Sequence, residues 1–176
     1  MRFRETKVQG AFLIELERRE DHRGFFARSW CANEYAKHGL NPVIAQINVA
    51  FNAKMGCIRG LHYQIQPNQE AKTVRCTRGS VFDVVVDLRT DSPTRKLWEG
   101  FELTAENQNL LYIPEGCAHG YQTLQDGSEI EYLTTVAYAP QSARGVRFDD
   151  PAFGIDWPLP AQVISDADRS WPDYKH

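Results

Sequence analysis

Two histidines close glycine-containing segments of this chain: Gly56-Cys-Ile-Arg-Gly-Leu-His62-Tyr-Gln64 and Pro114-Glu-Gly-Cys-Ala-His119. Imidazole does two kinds of chemistry, metal ligation and proton transfer near neutral pH. A closed metal site needs further ligands close by. Two residues after His62 stands Gln64, and four after His119 stands Thr123. An amide and a hydroxyl add little to two imidazoles, so no metal is expected. Two imidazoles in a pocket suit general acid–base catalysis instead.

Such groups need a frame to hold them, and the frame reads as mostly strand. Phe12-Leu-Ile-Glu-Leu, Val43-Ile-Ala-Gln-Ile-Asn-Val-Ala-Phe and Val81-Phe-Asp-Val-Val-Val-Asp-Leu are rich in β-branched or aromatic residues. Further strands are expected around 72–76, 97–103, 109–113, 121–124 and 129–136. Turn signals separate them at Asp21-His-Arg-Gly, Thr77-Arg-Gly-Ser, Asp91-Ser-Pro, Pro114-Glu-Gly and Gln125-Asp-Gly-Ser. Only Cys31–His38, stopped by Gly39, reads as an early helix. Short strands with regular turns fit a closed antiparallel barrel or jelly roll, an all-β fold with short peripheral helices. The stretch after Ala139 carries Asp149-Asp-Pro and Trp157-Pro-Leu-Pro, and is expected to wrap the barrel irregularly before a short terminal segment.

The 176 residues suffice for one domain with a substantial core, taken as residues 1–176. A formal net charge of -3 argues against a nucleic-acid surface. Four cysteines (Cys31, Cys57, Cys76, Cys117) without CxxC spacing suggest neither a disulfide framework nor a zinc knuckle. The N-terminus lacks the apolar stretch of a signal peptide, and no segment is long enough to span a membrane. A reduced, cytoplasmic protein is the expectation.

The chain resembles the dTDP-4-dehydrorhamnose 3,5-epimerase family of the cupin superfamily. The likeness runs from Asp21-His-Arg-Gly-Phe-Phe26 through Gln46-Ile-Asn48, Arg59-Gly-Leu-His-Tyr-Gln64 and Ala71-Lys-Thr-Val-Arg-Cys-Thr-Arg-Gly79. It continues in Val81–Arg89, Tyr112-Ile-Pro-Glu-Gly-Cys-Ala-His-Gly120, Arg144–Pro151, Gly154–Pro158 and Ser165-Asp-Ala-Asp-Arg169. Both histidine segments match the metal motifs of a cupin barrel, with Gln64 and Thr123 where further ligands would stand.

The resemblance implies a jelly-roll (double-stranded β-helix) cupin that forms a homodimer, with N-terminal strand exchange a possibility. It implies metal-free, cofactor-free epimerisation of a 4-keto-6-deoxyhexose linked to a nucleoside diphosphate. Such chemistry needs a base, an acid on the opposite face and a stabiliser of the enolate oxygen. By the same resemblance His62 is the base with Asp168 as its partner, Lys72 the cation for the enolate, and Tyr132 the acid. His119, Arg23 and Arg59 fall to the diphosphate and its surroundings. Phe26, Arg28, Gln46, Asn48 and Tyr138 fall to the rest of the substrate, Tyr138 as an aromatic that stacks on the base.

The residues read alone qualify these roles. Arg59 and His62, three apart, face opposite ways on a regular strand; both enter one pocket only through a bulge, for which Gly60 is the site. Otherwise Arg59 serves a neighbouring subunit. Lys72 shares a strand face with Val74 and Cys76, and on a lumen face it needs an anionic partner. Tyr132 shares its face with Ile130 and Thr134, so it also fits a core role. Asp83, on a face with Val85 and Asp87, rivals Asp168 as the partner of a histidine. Phe25, Phe26 and Trp30 suit either an interface or a core.

The chain also departs from the family. Arg28 and Ala143 occupy positions where glutamates are common, and Ala50 and Asn52 replace serines. A guanidinium near the base suits cytosine better than thymine, so a CDP-sugar is the alternative to a dTDP-sugar. Epimerisation at C3 alone, a metal-dependent cupin enzyme and a non-catalytic sugar-nucleotide binder are the other readings.

Overall fold

In a computed structural model describing residues 1–174, fourteen strands and two short helices follow one another. They are β1 (Arg2–Glu5), β2 (Phe12–Glu15), β3 (Arg19–Asp21), β4 (Gly24–Phe26), α1 (Ala32–Lys37), β5 (Gln46–Asn52), β6 (Cys57–Gln64) and β7 (Lys72–Arg78). Then come β8 (Ser80–Asp87), β9 (Trp98–Thr104), β10 (Leu110–Ile113), β11 (Cys117–Thr123), β12 (Ser128–Thr134), β13 (Ala143–Gly145), β14 (Val163–Ile164) and α2 (Asp166–Arg169). One sheet has the order β1-β2-β10-β7-β12-β5; the other has β13-β6-β11-β8-β9, with β14 added in parallel to β6. A small β3–β4 hairpin stands apart, built on the Asp21-His-Arg-Gly turn.

Apolar side chains of both sheets meet between them. Val74, Cys76, Val81, Val85, Leu111 and Ile130 belong to this central cluster. The outer faces are covered too. The N-terminal segments and α1 bury Ile14, Tyr35 and Tyr112 against the first sheet, and Trp30 packs there. Trp30 is thus partly buried against this cluster, whereas Phe25 and Phe26 are exposed. The tail packs Val146 and Phe153 over Leu61, Val84 and Val86 of the second sheet. Strand β8 is therefore buried on both faces, which explains its unbroken Val84-Val85-Val86 run.

Of the two arrangements open to Arg59 and His62, β6 adopts the bulge. Opposite the step from His119 to Tyr121 on β11, β6 advances from Arg59 to His62, one residue more. Gly60 has φ of 122°, and a Cβ there would lie 2.6 Å from the Cα of Gly120. Only glycine fits such a close approach in that conformation. The extra residue turns Arg59 and His62 toward the same cavity while Leu61 points into the layer beneath the tail.

Candidate active site

Between the sheets lie two adjoining cavities of about 580 and 700 Å³. His62, Lys72 and Tyr132 line both, and so mark their junction. The first also reaches Arg59, His119, Tyr121 and Asp168. The second reaches Gln46, Asn48, Tyr138, Arg144 and Trp171. His62 comes from the second sheet, whereas Lys72 and Tyr132 come from the first, across the cavity.

His62 Nε2 lies 2.5 Å from Asp168 Oδ1. A carboxylate accepts, so it holds the proton on Nε2 and leaves the Nδ1 lone pair free. Asp168 is nearly buried in α2. Ser165, the helix N-cap, accepts from the Asp168 N–H, and the Gly60 N–H lies 3.4 Å from Asp168 Oδ2. Burial would raise the Asp168 carboxyl, but its bonds to His62, Gly60 and Ser165 win and hold it below the ordinary range.

His119 Nε2 instead meets Asp83 Oδ2 at 3.0 Å. Thus each histidine has its own aspartate, and the rivalry between Asp83 and Asp168 ends with Asp168 on His62. Asp83 is fully buried with Oδ1 unpaired among the described residues, and burial pushes its carboxyl up against the pull of His119 and Lys72.

Lys72 has the anionic partner its lumen position calls for: Nζ is 3.0 Å from Glu70 Oε1. Nothing in the sequence pattern singles out Glu70, because it lies in the turn before β7 rather than on a strand face. Tyr132 is half-buried, and burial with the nearby Glu70 charge raises its phenol, Arg59 acting the other way. Tyr121 is a second cavity tyrosine, but it is deeper and hydrogen-bonded to Asn52. The Tyr132 hydroxyl has no hydrogen-bond partner among the described residues and is available to a ligand.

Gln64 and Thr123 are both hydrogen-bonded within the fold. Gln64 Nε2 donates to Asn68 O and Glu70 Oε2, and its Oε1 accepts from the Ala139 N–H. Thr123 Oγ1 donates to Lys54 O and accepts from the Cys57 N–H.

A sequence profile of dTDP-4-dehydrorhamnose 3,5-epimerases matches residues 5–176. This chain belongs to that family. A dTDP-4-dehydrorhamnose 3,5-epimerase of Sinorhizobium fredii is 39% identical over 173 residues, spanning 98% of this chain and 89% of its own. The Bacillus anthracis epimerase, crystallised with TDP and PPi, superimposes with a TM-score of 0.94 at 36% identity, covering 98% of this chain and 99% of that one. The Legionella pneumophila epimerase in complex with dTDP-4-keto-L-rhamnose gives a TM-score of 0.89 at 35% identity, with 99% of both chains covered.

Within this epimerase fold, nine of the twelve site residues read from the sequence line the two cavities: His62, Tyr132, Lys72, Asp168, Gln46, Asn48, Arg59, His119 and Tyr138. Arg23, Phe26 and Arg28 line neither. Arg23 stands on the exposed β3–β4 turn, paired with Asp21 at 2.6 Å. Phe26 ends that hairpin, 68% exposed. Arg28 pairs with Glu34 at 3.0 Å, so its charge is directed to the helix rather than to a cavity. Arg144 and Trp171 are cavity residues that the sequence pattern did not mark; both come from the tail, where strand periodicity gives no guide.

Proposed function

We propose that this chain converts dTDP-4-dehydro-6-deoxy-D-glucose into dTDP-4-dehydro-L-rhamnose by inverting C3 and C5. Each inversion removes the proton beside the C4 ketone and returns one to the other face of the ring. The observation that carries this reading is the opposition of His62, on one sheet, to Tyr132 and Lys72 on the other, around a single junction.

His62 Nδ1 takes the proton, and Asp168 steadies the imidazolium that results. The C4 oxygen gains negative charge as the enolate forms, and the Lys72 ammonium stabilises it. Tyr132 delivers a proton from the opposite face; its raised phenol stays protonated at neutral pH and so acts as an acid. The ketone of the substrate is the electron sink, so these side chains account for every proton moved. Arg59 and His119 flank the base and serve the diphosphate end. Gln46, Asn48 and Tyr138 line the neighbouring cavity, as sugar and base contacts.

The working unit in this proposal is a cytoplasmic homodimer with no nucleic-acid or membrane partner. Strand β5 is a sheet edge that turns Ile47, Val49 and Phe51 to solvent, each more than half exposed. Three apolar side chains in alternation on an exposed edge suit a second copy. Arg23, Phe26 and Arg28 then have a role as contacts to the partner's substrate. The four cysteines are unpaired, and no helix among the described residues is long and apolar enough to cross a membrane.

Proton NMR of chelator-treated enzyme with dTDP-4-dehydro-6-deoxy-D-glucose in deuterium oxide tests the reading. Loss of both the C3 and C5 proton signals is expected. Exchange at C3 alone would restrict the activity to one carbon, and exchange at neither would overturn the substrate.

A further inference from the structure

We infer that Glu70 is a positioning residue for the epimerisation, holding the Lys72 ammonium at the cavity junction where the developing enolate oxygen needs it. This rests on the enolate reading above. The two oxygens of Glu70 have separate tasks: Oε1 meets Lys72 Nζ at 3.0 Å, and Oε2 accepts from Gln64 Nε2 at 3.1 Å. Gln64 is itself fixed, because its Oε1 accepts from the Ala139 N–H at 2.6 Å and Nε2 also donates to Asn68 O at 3.0 Å. The carboxylate is therefore anchored from β6 and from the segment after β12, while it grips a side chain of β7.

Lysine carries its charge on a flexible four-carbon stem, and a cation must be in place before charge develops if it is to lower the barrier. The carboxylate of Asp83, which also attracts Lys72, is already bonded to His119. Glu70 is the group in direct contact. Stability does not account for the pair. The side chains of Lys72 and Glu70 are only 11% and 8% exposed, and a buried ion pair gains little over apolar residues of similar volume. Placing this pair at the junction of two cavities gives it a chemical use. Glu70 also adds to the burial that keeps the Tyr132 phenol protonated, so one carboxylate serves both the cation and the acid.

The test uses Glu70→Gln, which keeps the shape and loses the charge. A loss of fixed geometry for one catalytic group is expected to lower kcat roughly 10²-fold, with KM and the Kd for dTDP changed less than about threefold. In a Lys72→Met background, Glu70→Gln is expected to cost nothing further, since Glu70 acts through Lys72. A full multiplicative loss there would overturn the proposal, as would a Glu70→Gln variant with unchanged kcat. A second readout does not need turnover. In 1H–15N correlation spectra optimised for ammonium groups, the wild type should show a slowly exchanging lysine signal that is absent from Lys72→Met and from Glu70→Gln. Persistence of that signal in Glu70→Gln, or its absence from the wild type, would overturn the proposal. If the wild type exchanges neither C3 nor C5, the substrate reading fails on its own, and the ammonium spectra still decide the role of Glu70.

Discussion

Asp168 touches His62 through one oxygen and otherwise spends its charge on the fold, so a single substitution there should be felt in both activity and stability. Asp168→Asn is expected to lower kcat by roughly 10²- to 10⁴-fold, because an amide can donate to Nε2 and hold the wrong tautomer, and it carries no charge to steady an imidazolium. The carboxyl is held below its ordinary value near 3.8. Its contribution to stability is therefore present above that pH and lost as pH falls through the lower, folded value. The stability gap between wild type and Asp168→Asn, followed by thermal melts, should be full at pH 7, begin to narrow below about pH 4 and vanish only below the folded value. Tyr132→Phe should behave differently. In the proposed mechanism, proton removal by His62 should survive this change and delivery from the far face should not. Inversion is expected to fall by about 10²-fold or more while deuterium still enters from the face of His62. Parallel loss of exchange and inversion would remove Tyr132 from the acid role.

At the scale of elements, the bulge in β6 decides whether Arg59 and His62 share a cavity. A methyl group at Gly60 would press on the backbone of Gly120 in a conformation that other residues rarely adopt. Gly60→Ala is expected to cost roughly 3 kcal/mol in denaturant melts and to abolish turnover. A stable, active variant would show that the extra residue is dispensable. The sequence left this bulge as one of two outcomes. The resemblance put Arg59 and His62 in a pocket, and strand alternation then required either a bulge at Gly60 or a neighbouring subunit for Arg59. The packed sheets choose the bulge. That Lys72, Val74 and Cys76 share a face was legible from strand alternation; that the face is the lumen came only with the packing of the two sheets. Period two does not reach the tail, so β13, β14 and α2 carried no signal of their own, and Asp168 and Arg144 stood out only by resemblance or not at all. Strand β1 was hidden because Arg2, Arg4 and Glu5 make it too polar to read as a strand. Glu70 was illegible because a turn residue acquires a partner only once β6 and β7 are packed side by side through Gln64.

For the whole molecule, the exposed row on β5 is the feature that a lone subunit does not explain. Apolar side chains normally face the core of a two-sheet fold, yet here Gln46, Asn48 and Asn52 face inward while Ile47, Val49 and Phe51 face out. Sedimentation of the wild type should give a dimer. Val49→Lys is expected to weaken association by roughly 100-fold or more while the subunit stays folded, because a charge in a buried interface lacks a counterpart. A wild-type monomer would remove the partner from the proposal and leave Arg23, Phe26 and Arg28 without a substrate to meet.

His62 and Asp168 lie 106 residues apart, and the segment that carries Asp168 joins the barrel through a two-residue parallel strand and one short helix. Contacts of such separation carry a large loop-closure cost and little local reward. The barrel strands, linked mostly by short turns, can assemble without it. In a refolding experiment, the far-ultraviolet signal of the sheets should therefore return before turnover does, with the time between them measuring the docking of the tail. Simultaneous return would mean that the last fifth of the chain helps to nucleate the barrel that it encloses.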